Sequence, residues 1–229
     1  MNKSKKLIIF GTGEIGIMAR YYFTHDSDYE VVAFAADDEY VKSDQFEDLP
    51  LIKLSNLVAK YPQDKFYIHI ALSFSKLNRT REKKYNDVKA LGYSLASYVS
   101  SKSVFWPDLH IGDNCFILEN QTIQPTVKIG SNVMIWSGNH IGHRGVISDH
   151  VYISSHVCIA GFCSIGSRTF LGVNSTVKDF TNIGADCFIG MAASVVRDLP
   201  DGTVVLGPKS EVYQRGDKKT ERILKLFFE

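Results

Sequence analysis

The sequence predicts an α/β domain with a parallel sheet, then an all-β parallel β-helix, and a short helix at the C-terminus. Three observations support this division. Strand and helix patterns alternate through the first hundred residues, an aliphatic residue recurs at every sixth position over residues 111–195, and an amphipathic segment ends the chain. The predicted domains are residues 1–100, 101–213 and 214–229.

The six-residue period defines the second domain. Three such hexads close one triangular coil, so residues eighteen apart stack and about five coils follow. A period of six is neither the two of a strand nor the 3.6 of a helix, so each hexad should be a short strand and a turn with one inward side chain. The inward positions are Ile111, Ile117, Ile123, Ile129, Ile135, Ile141, Ile147, Ile153, Ile159, Ile165, Leu171, Val177, Ile183, Ile189 and Val195.

The third residue after each inward position should lie at a corner of the coil. Asn, Asp and Gly accept the left-handed backbone that such a corner needs. The residues that fit are Asn114, Asn120, Asn132, Gly138, Asn174, Asp186 and Asp198. Cys115, Cys163 and Cys187 occupy small inward positions, which favours buried packing residues over disulfides.

The first hundred residues read as alternating strands and helices. We expect strands at 7–10, 29–35, 66–72 and 93–99, a helix after residue 14, a short helix capped by Ser55, and a helix at 77–91. The acidic segment between residue 38 and Ser55 is expected to be irregular. This order predicts a parallel sheet with right-handed crossovers.

A glycine-rich loop follows the first strand. Gly11 permits a tight turn, Gly13 lets the backbone approach a phosphate, and Gly16 allows close helix packing. Asp37 and Asp38 follow about twenty residues later, where an acid near a ribose is expected. This context favours nucleotide binding over a structural turn, and the small domain favours a mononucleotide or nucleotide sugar over NAD.

Composition excludes several classes of function. The chain has 229 residues and a formal net charge of +1, so no basic excess points to nucleic acid. No run of eighteen apolar residues and no signal-peptide pattern is found, so we expect a cytoplasmic protein without membrane insertion. His140 stacks on Cys158 but offers only two ligands, so we expect no metal.

The chain resembles the bacterial nucleotide-sugar acyltransferases in two motifs. One is Phe10-Gly11-Thr12-Gly13-Glu14-Ile15-Gly16 in the first domain, and the other is Ile141-Gly142-His143 in the hexapeptide β-helix. The family includes N-acetyltransferases of the bacillosamine and related 4-amino-sugar pathways and sialic-acid O-acetyltransferase relatives. The resemblance covers nearly the whole chain. It implies a left-handed β-helix, a homotrimer, acetyl-CoA held between neighbouring helices, and a first domain that binds the nucleotide of the sugar.

The same resemblance implies roles for individual residues. His143 would be the general base. Contacts with acetyl-CoA would fall on Tyr152, Gly161, Val173, Met191 and Lys209. Contacts with the nucleotide sugar would fall on Gly11, Gly13, Glu14, Ile15, Asp37, Asp38 and Ser73. Trp136, His140 and Arg144 would line the cleft. Independently, the eighteen-residue stacking places Pro125 and Gly161 on either side of His143.

Two positions depart from the family pattern. Many relatives carry Glu directly after the histidine to orient it, whereas this chain has Arg144, which either opposes protonation of the histidine or contacts a phosphate. An orienting acid would then have to be Asp149 or Glu119, from a neighbouring coil or subunit. Trp136 is an outward aromatic residue that either stacks on a sugar or base or packs at an interface.

The expected function is acetyl-CoA-dependent N-acetylation of a nucleotide-linked 4-amino-4-deoxy sugar, a 4,6-dideoxy sugar being favoured, for a surface glycan. Acetyl transfer would be direct, with no metal. Two alternatives stay open: a sugar O-acetyltransferase and a non-catalytic nucleotide-binding scaffold. The amphipathic helix at 217–228 should pack on the open end of the β-helix or on a neighbouring subunit.

Overall fold

The structure is a computed structural model that describes residues 3–228. Met1 and Asn2 at the start of the first predicted domain, and Glu229 at the end of the third, lie outside the described residues. The first domain contains the strands β1 (Lys5–Phe10), β2 (Tyr29–Ala36), β3 (Gln45–Phe46), β4 (Leu49–Lys53), β5 (Phe66–Ile70) and β6 (Ser94–Leu95). Its helices are α1 (Glu14–His25), α2 (Leu57–Lys60) and α3 (Arg79–Ala90), with 3₁₀ turns at Asp38–Tyr40 and Leu54–Asn56.

The six strands form one sheet in the order β3-β4-β2-β1-β5-β6. Every pairing is parallel except that between β3 and β4, so the predicted parallel sheet is confirmed. Leu7 to Phe10 are buried in its centre, as expected for an apolar run between two flanking strands.

The acidic segment expected to be irregular contains a hairpin, so that expectation is wrong. β3 and β4 pair antiparallel, and β4 joins the sheet beside β2. Two features hid this hairpin. Pro50 lies within β4, and the turn holds Glu47 and Asp48 at φ 50° and 59°, where Asn or Gly would be the usual signal.

Two other boundaries differ from those predicted. The helix expected from residue 77 begins at Arg79, because Lys76, Leu77 and Asn78 form a left-handed turn with φ between 51° and 65°. The strand expected at 93–99 is split in two. Its first part pairs with β5, whereas Tyr98–Val99 (β7) pairs with the β-helix, so the chain crosses between the domains inside that segment.

The second domain is a parallel β-helix of two-residue strands on three faces. The first face holds β7, β9 (Phe116–Ile117), β12 (Met134–Ile135), β15 (Tyr152–Ile153), β18 (Phe170–Leu171), β21 (Phe188–Ile189) and β23 (Val204–Val205). The second holds β10 (Thr122–Ile123), β13 (His140–Ile141), β16 (Cys158–Ile159), β19 (Thr176–Val177) and β22 (Ser194–Val195). The third holds β8 (His110–Ile111), β11 (Lys128–Ile129), β14 (Val146–Ile147), β17 (Ser164–Ile165) and β20 (Asn182–Ile183).

The register confirms the eighteen-residue stacking. Ile123 pairs with Ile141, and Ile141 pairs with Ile159. The inward residues form one continuous buried core, with Ile111 partly buried at its end. Cys115, Cys163 and Cys187 are buried in this core as free thiols, as predicted. Removal of this aliphatic column from water is the main stabilising term of the domain.

Six of the seven predicted corner residues adopt the left-handed conformation, and Asp198 does not. The carboxylate of Asp198 instead accepts the backbone N–H of Asn182, where the coil regularity ends. Bulky residues also hold left-handed corners, among them Arg144, Phe162 and Phe180, although their side chains give no such signal.

The first domain packs on the first face of the β-helix. Phe23 of α1, Tyr98, Phe116, Met134 and Tyr152 share one buried cluster that spans both domains. A second contact joins α3 to the corner between the third and first faces. There Arg81, 1% exposed, donates to the carbonyl oxygens of Asn132 and His150 and to the side chain of Asn78. These contacts fix the glycine loop relative to the coils.

The C-terminal helix α4 (Lys218–Phe228) begins one residue later than predicted. Leu226 and Phe227 are 77% and 72% exposed, whereas Ile223 and Leu224 are half-buried, so the apolar side of the helix is only partly covered within this chain. Packing against a neighbouring subunit stays a prediction. Within residues 3–228, none of the helices is long and apolar enough to cross a membrane.

Candidate active site

His143 lies at the corner that follows the second face. Ile141 points into the core, so the alternation of the strand turns His140 outward, and the chain then turns through Gly142, His143 and Arg144. The side chain of His143 is exposed. Its carbonyl oxygen accepts the N–H of Phe162 at 2.9 Å, which ties this corner to the next coil.

Gly161 forms the surface against which the imidazole packs, as the eighteen-residue spacing predicts. A Cβ on Gly161 would lie 2.6 Å from Cε1 of His143 and 3.0 Å from each ring nitrogen. The N–H of Gly161 donates to Oδ1 of Asp179 at 3.0 Å. On the other side, the carbonyl of Pro125 accepts the N–H of Arg144 at 3.3 Å. Only glycine leaves room for the ring in this position.

Gln124 makes the polar contacts of His143. Its Oε1 accepts the backbone N–H of His143 at 2.8 Å and lies 2.9 Å from Nδ1 of the ring. The expectation that Asp149 or Glu119 orients the ring is wrong within this chain. Asp149 accepts the N–H of Ser131, and Glu119 accepts the hydroxyls of Tyr22 and Ser137 at a different corner.

Aromatic side chains extend the corner beyond His143. The ring of Phe162 lies edge to face with the imidazole at 4.9 Å and stacks on Phe180 at 4.8 Å. The guanidinium of Arg144 lies 5.4 Å from the centre of the Phe162 ring, a cation–π contact. Arg144 also lines a cavity of about 290 Å³ with Lys128, Thr126 and Val146. Two cations at one cavity suit a phosphate, so phosphate contact by Arg144 stays a prediction.

The residues expected to contact acetyl-CoA are not brought together in one chain. Gly161 lies at the corner after the second face, whereas Val173 and Met191, 39% and 70% exposed, lie at the corner after the first. Tyr152 is 4% exposed and packs against Phe74. Lys209 is exposed in the irregular segment after β23.

The other residues of the expected cleft lie on two faces. Trp136 packs in the cluster between the domains and donates its Nε1–H to the hydroxyl of Tyr152, so packing is the role seen in this chain. His140 is half-buried between Thr122 and Cys158 on the second face, the strand of which leads into the corner of His143. No group of three or more potential metal ligands occurs among the residues that the structure describes.

The three glycines of the glycine loop have different surroundings. Gly11 and Gly16 are closely packed, whereas Gly13 has open space beside it. Gly11 has φ 128°, and a Cβ there would lie 2.6 Å from the carbonyl oxygen of Ala71, while one on Gly16 would lie 2.2 Å from that of Gly11. Gly13 precedes α1 without a side-chain cap and has no atom within 4 Å of its Cβ position. Gly13 and the next residue, Glu14, are exposed. The N-terminus of α1 is therefore open to an anion.

The two predicted acids lie at the same edge of the sheet but already have partners. Asp38 accepts the N–H and hydroxyl of Ser55 at 3.1 and 2.6 Å, and these hydrogen bonds lower the pKa of the Asp38 carboxyl. Contrary to expectation, Ser55 therefore does not cap the short helix. Asp37 pairs with the largely buried Lys84. Both acids line a cavity of about 430 Å³. Ser73 is half-buried and follows Ala71, the neighbour of Gly11, while Ile15 is half-buried in α1.

Sequence reasoning missed three functional candidates at the corner: Gln124, Asp179 and Phe162. Asp179 lies eighteen residues after Gly161, so the stacking rule could have found it. Gln124 lies nineteen residues before His143, a diagonal step between coils that the period alone does not single out.

Comparison with known proteins supports this reading of the fold. Residues 103–143 match the family described as bacterial transferase hexapeptide (six repeats). A search of curated protein sequences gives no significant match. The repeat and the fold place the chain in the structural class of hexapeptide-repeat β-helix proteins with an added Rossmann-like domain.

Two solved structures resemble nearly the whole chain. The acetyltransferase domain of PglB from Neisseria gonorrhoeae FA1090, in complex with acetyl coenzyme A, has a TM-score of 0.78 and 22% identity over 90% of this chain and 97% of that one. PerB from Caulobacter crescentus, in complex with CoA and GDP-perosamine, has a TM-score of 0.77 and 24% identity over 88% and 94%. These likenesses confirm the expected fold, including the left-handed β-helix.

Proposed function

We propose that this protein is an acetyl-CoA-dependent N-acetyltransferase that acts on a nucleotide-linked 4-amino-4-deoxy sugar, with a 4,6-dideoxy sugar favoured. The observation that carries this proposal is the environment of the His143 imidazole. An exposed imidazole lies against a glycine, with a polar partner at Nδ1, at a corner of a hexapeptide β-helix. Of the two solved structures compared above, one is the acetyltransferase domain of PglB in complex with acetyl coenzyme A, and the other is PerB in complex with CoA and GDP-perosamine.

The chemistry asked of His143 is proton transfer from the attacking nitrogen, which loses two protons in all as an ammonium becomes an amide. A sugar ammonium must lose a proton before its nitrogen can attack, and imidazole is the side chain suited to accept it near neutral pH. Acetyl-CoA supplies the acetyl group as an activated thioester. The first proton passes from the ammonium through Nε2 of His143 to solvent. After the amine has attacked the thioester carbonyl, the nitrogen loses its second proton through Nε2 to the departing thiolate, which leaves as CoA–SH. No acyl-enzyme is needed.

The first domain would hold the nucleotide. The open N-terminus of α1 at Gly13 suits a diphosphate, and Asp37 and Asp38 lie at the neighbouring strand end, where a ribose is expected. Gly11, Glu14, Ile15 and Ser73 complete the proposed contacts. PerB was solved with GDP-perosamine, a nucleotide-linked sugar.

A homotrimer would complete the coenzyme site. Gly161 and the pair Val173 and Met191 occupy different corners of the coil, so they can contact one ligand only if neighbouring subunits bring two corners together. Tyr152 and Lys209 belong to the proposed contacts on the resemblance alone. The proposal places the reaction in the cytoplasm and its product in a surface glycan.

One experiment tests the proposal. Purified protein is given acetyl-CoA and a panel of UDP-, dTDP- and GDP-linked amino sugars with their amine-free hydroxyl counterparts. Nucleotide-sugar binding, free CoA and product mass are followed for wild type and His143→Ala. We expect CoA release with an amino sugar and a large loss of rate in the variant. Release with a hydroxyl sugar only would replace the proposal with O-acetylation, and binding without release would support a nucleotide-binding scaffold.

A further inference from the structure

Two nitrogen atoms of His143, the backbone N and Nδ1 of the ring, lie within hydrogen-bond distance of a single oxygen atom, Oε1 of Gln124. The backbone N–H lies 2.8 Å from it and Nδ1 lies 2.9 Å from it. A backbone N–H can only donate, so the side-chain atom that it meets must be the amide oxygen and not the amide nitrogen. This contact fixes the orientation of the Gln124 amide without reference to the ring.

The orientation of the amide in turn fixes the proton on the ring. An amide oxygen only accepts, so Nδ1 of the neutral imidazole must carry the hydrogen. The second nitrogen, Nε2, then holds a lone pair. That tautomer is the one in which His143 can accept a proton from a substrate through Nε2.

Contacts on the other sides keep the ring in this geometry. Gly161 lies against its flat side and the edge of Phe162 meets it at 4.9 Å. Rotation of the ring would break the Nδ1 contact and the edge-to-face contact with Phe162. The three contacts together hold one rotamer and one tautomer.

From this geometry we infer that Gln124 is the positioning residue for His143, a neutral amide that fixes the base in its Nδ1–H tautomer without adding a negative charge. The inference rests on the proposed function in that His143 is the base. The neutral partner has a consequence. A carboxylate at this place would stabilise the imidazolium, whereas an amide adds no charge beside the ring.

Three variants distinguish a role of Gln124 in positioning the His143 ring from a purely structural role at this corner. Gln124→Leu removes the acceptor at similar size, Gln124→Glu keeps the acceptor and adds a charge, and Gln45→Leu repeats the first change on the exposed strand β3 as a control. The full-length protein is labelled with ¹⁵N-histidine, and His143 is assigned by comparison with His143→Gln. Long-range ¹H–¹⁵N spectra then report which ring nitrogen carries the proton.

The wild type and Gln124→Glu should show the Nδ1–H form, and Gln124→Leu should lose it. In acetyl transfer, Gln124→Leu should lower kcat by about 10–100-fold, the effect seen when a metal-ligating histidine loses its orienting partner, with an unchanged KM for acetyl-CoA. Gln124→Glu should move the acid limb of the kcat/KM profile to higher pH. Gln45→Leu should change neither property.

The spectra keep this inference separate from the proposed function. An Nε2–H form in wild type, or a tautomer unchanged in Gln124→Leu, would overturn it. If Gln124→Leu does not fold, an unmoved acid limb in Gln124→Glu would overturn it as well. If no sugar is acetylated but the spectra change as expected, the proposed reaction fails while the assignment of Gln124 to the tautomer stands.

Discussion

Replacement of Gly161 by alanine tests whether the glycine is needed to leave room for the imidazole of His143. The added Cβ would lie 2.6 Å from Cε1 of His143, whereas carbon atoms in contact are about 3.5–4.0 Å apart, so the ring must move by about 1 Å. That movement would break the Nδ1 contact with Gln124. A misplacement of about 1 Å can lower a rate by about 10²-fold, which corresponds to about 2.7 kcal/mol of transition-state stabilisation.

The fold itself should tolerate this change. The atoms that meet the new Cβ belong to an exposed side chain that can move into solvent, and Gly161 does not have a positive φ. We expect a change in unfolding free energy within about 0.5 kcal/mol. Steady-state kinetics with acetyl-CoA and the accepted sugar, together with urea unfolding, measure the two quantities.

A double-mutant cycle provides the control. If Gly161→Ala acts by displacing the base, it should have little further effect on kcat in a His143→Ala background, because there is no ring to displace. A Gly161→Ala enzyme with nearly full kcat would refute the reasoning. An equal loss of kcat in both backgrounds would show that the glycine acts on something other than His143.

Three other predictions concern the first domain and its contact with the β-helix. Gly13→Val should raise KM for the nucleotide sugar at unchanged thermal stability, because its Cβ meets no atom, whereas Gly16→Ala should cost about 1–3 kcal/mol in urea unfolding through its backbone clash. Arg81→Met should destabilise the protein by about 2–4 kcal/mol in the same assay, because buried carbonyl groups lose their donor; an unchanged midpoint would contradict this. Arg168 lowers the pKa of Asp186 from 3.8 to about 2, so its stabilisation is complete above about pH 4 and is lost as pH falls towards 2. Asp186→Asn should flatten that part of the unfolding profile.

The regular part of the protein could be predicted in detail because its rule is local. Each hexad contributes one inward side chain, so the inward column, the corners and the stacking of Gly161 on His143 follow from counting. The same rule failed at Asp198, where the coils end and the repeat no longer constrains the backbone.

Contacts between secondary-structure elements could not be predicted by counting along the sequence. The strand β4 was missed because Pro50 lies in it and because its parallel pairing with β2 is a tertiary contact that no local pattern reports. Ser55 was expected to cap a helix, but its N–H and hydroxyl donate to the carboxylate of Asp38 instead. Both outcomes depend on which segments the fold brings together, which propensity does not encode.

The sequence by itself therefore determined the two-domain architecture, the glycine loop and the place of His143, since periodicity and spacing are properties of the chain. Only the tertiary structure decided which groups surround those residues. It placed the amide of Gln124 against the ring, with no acid of the described residues 3–228 hydrogen-bonded to it, and it buried Tyr152 between the domains. The physical reason is that hydrogen bonds and burial are set by distances in space, and here those distances join residues on different coils and in different domains.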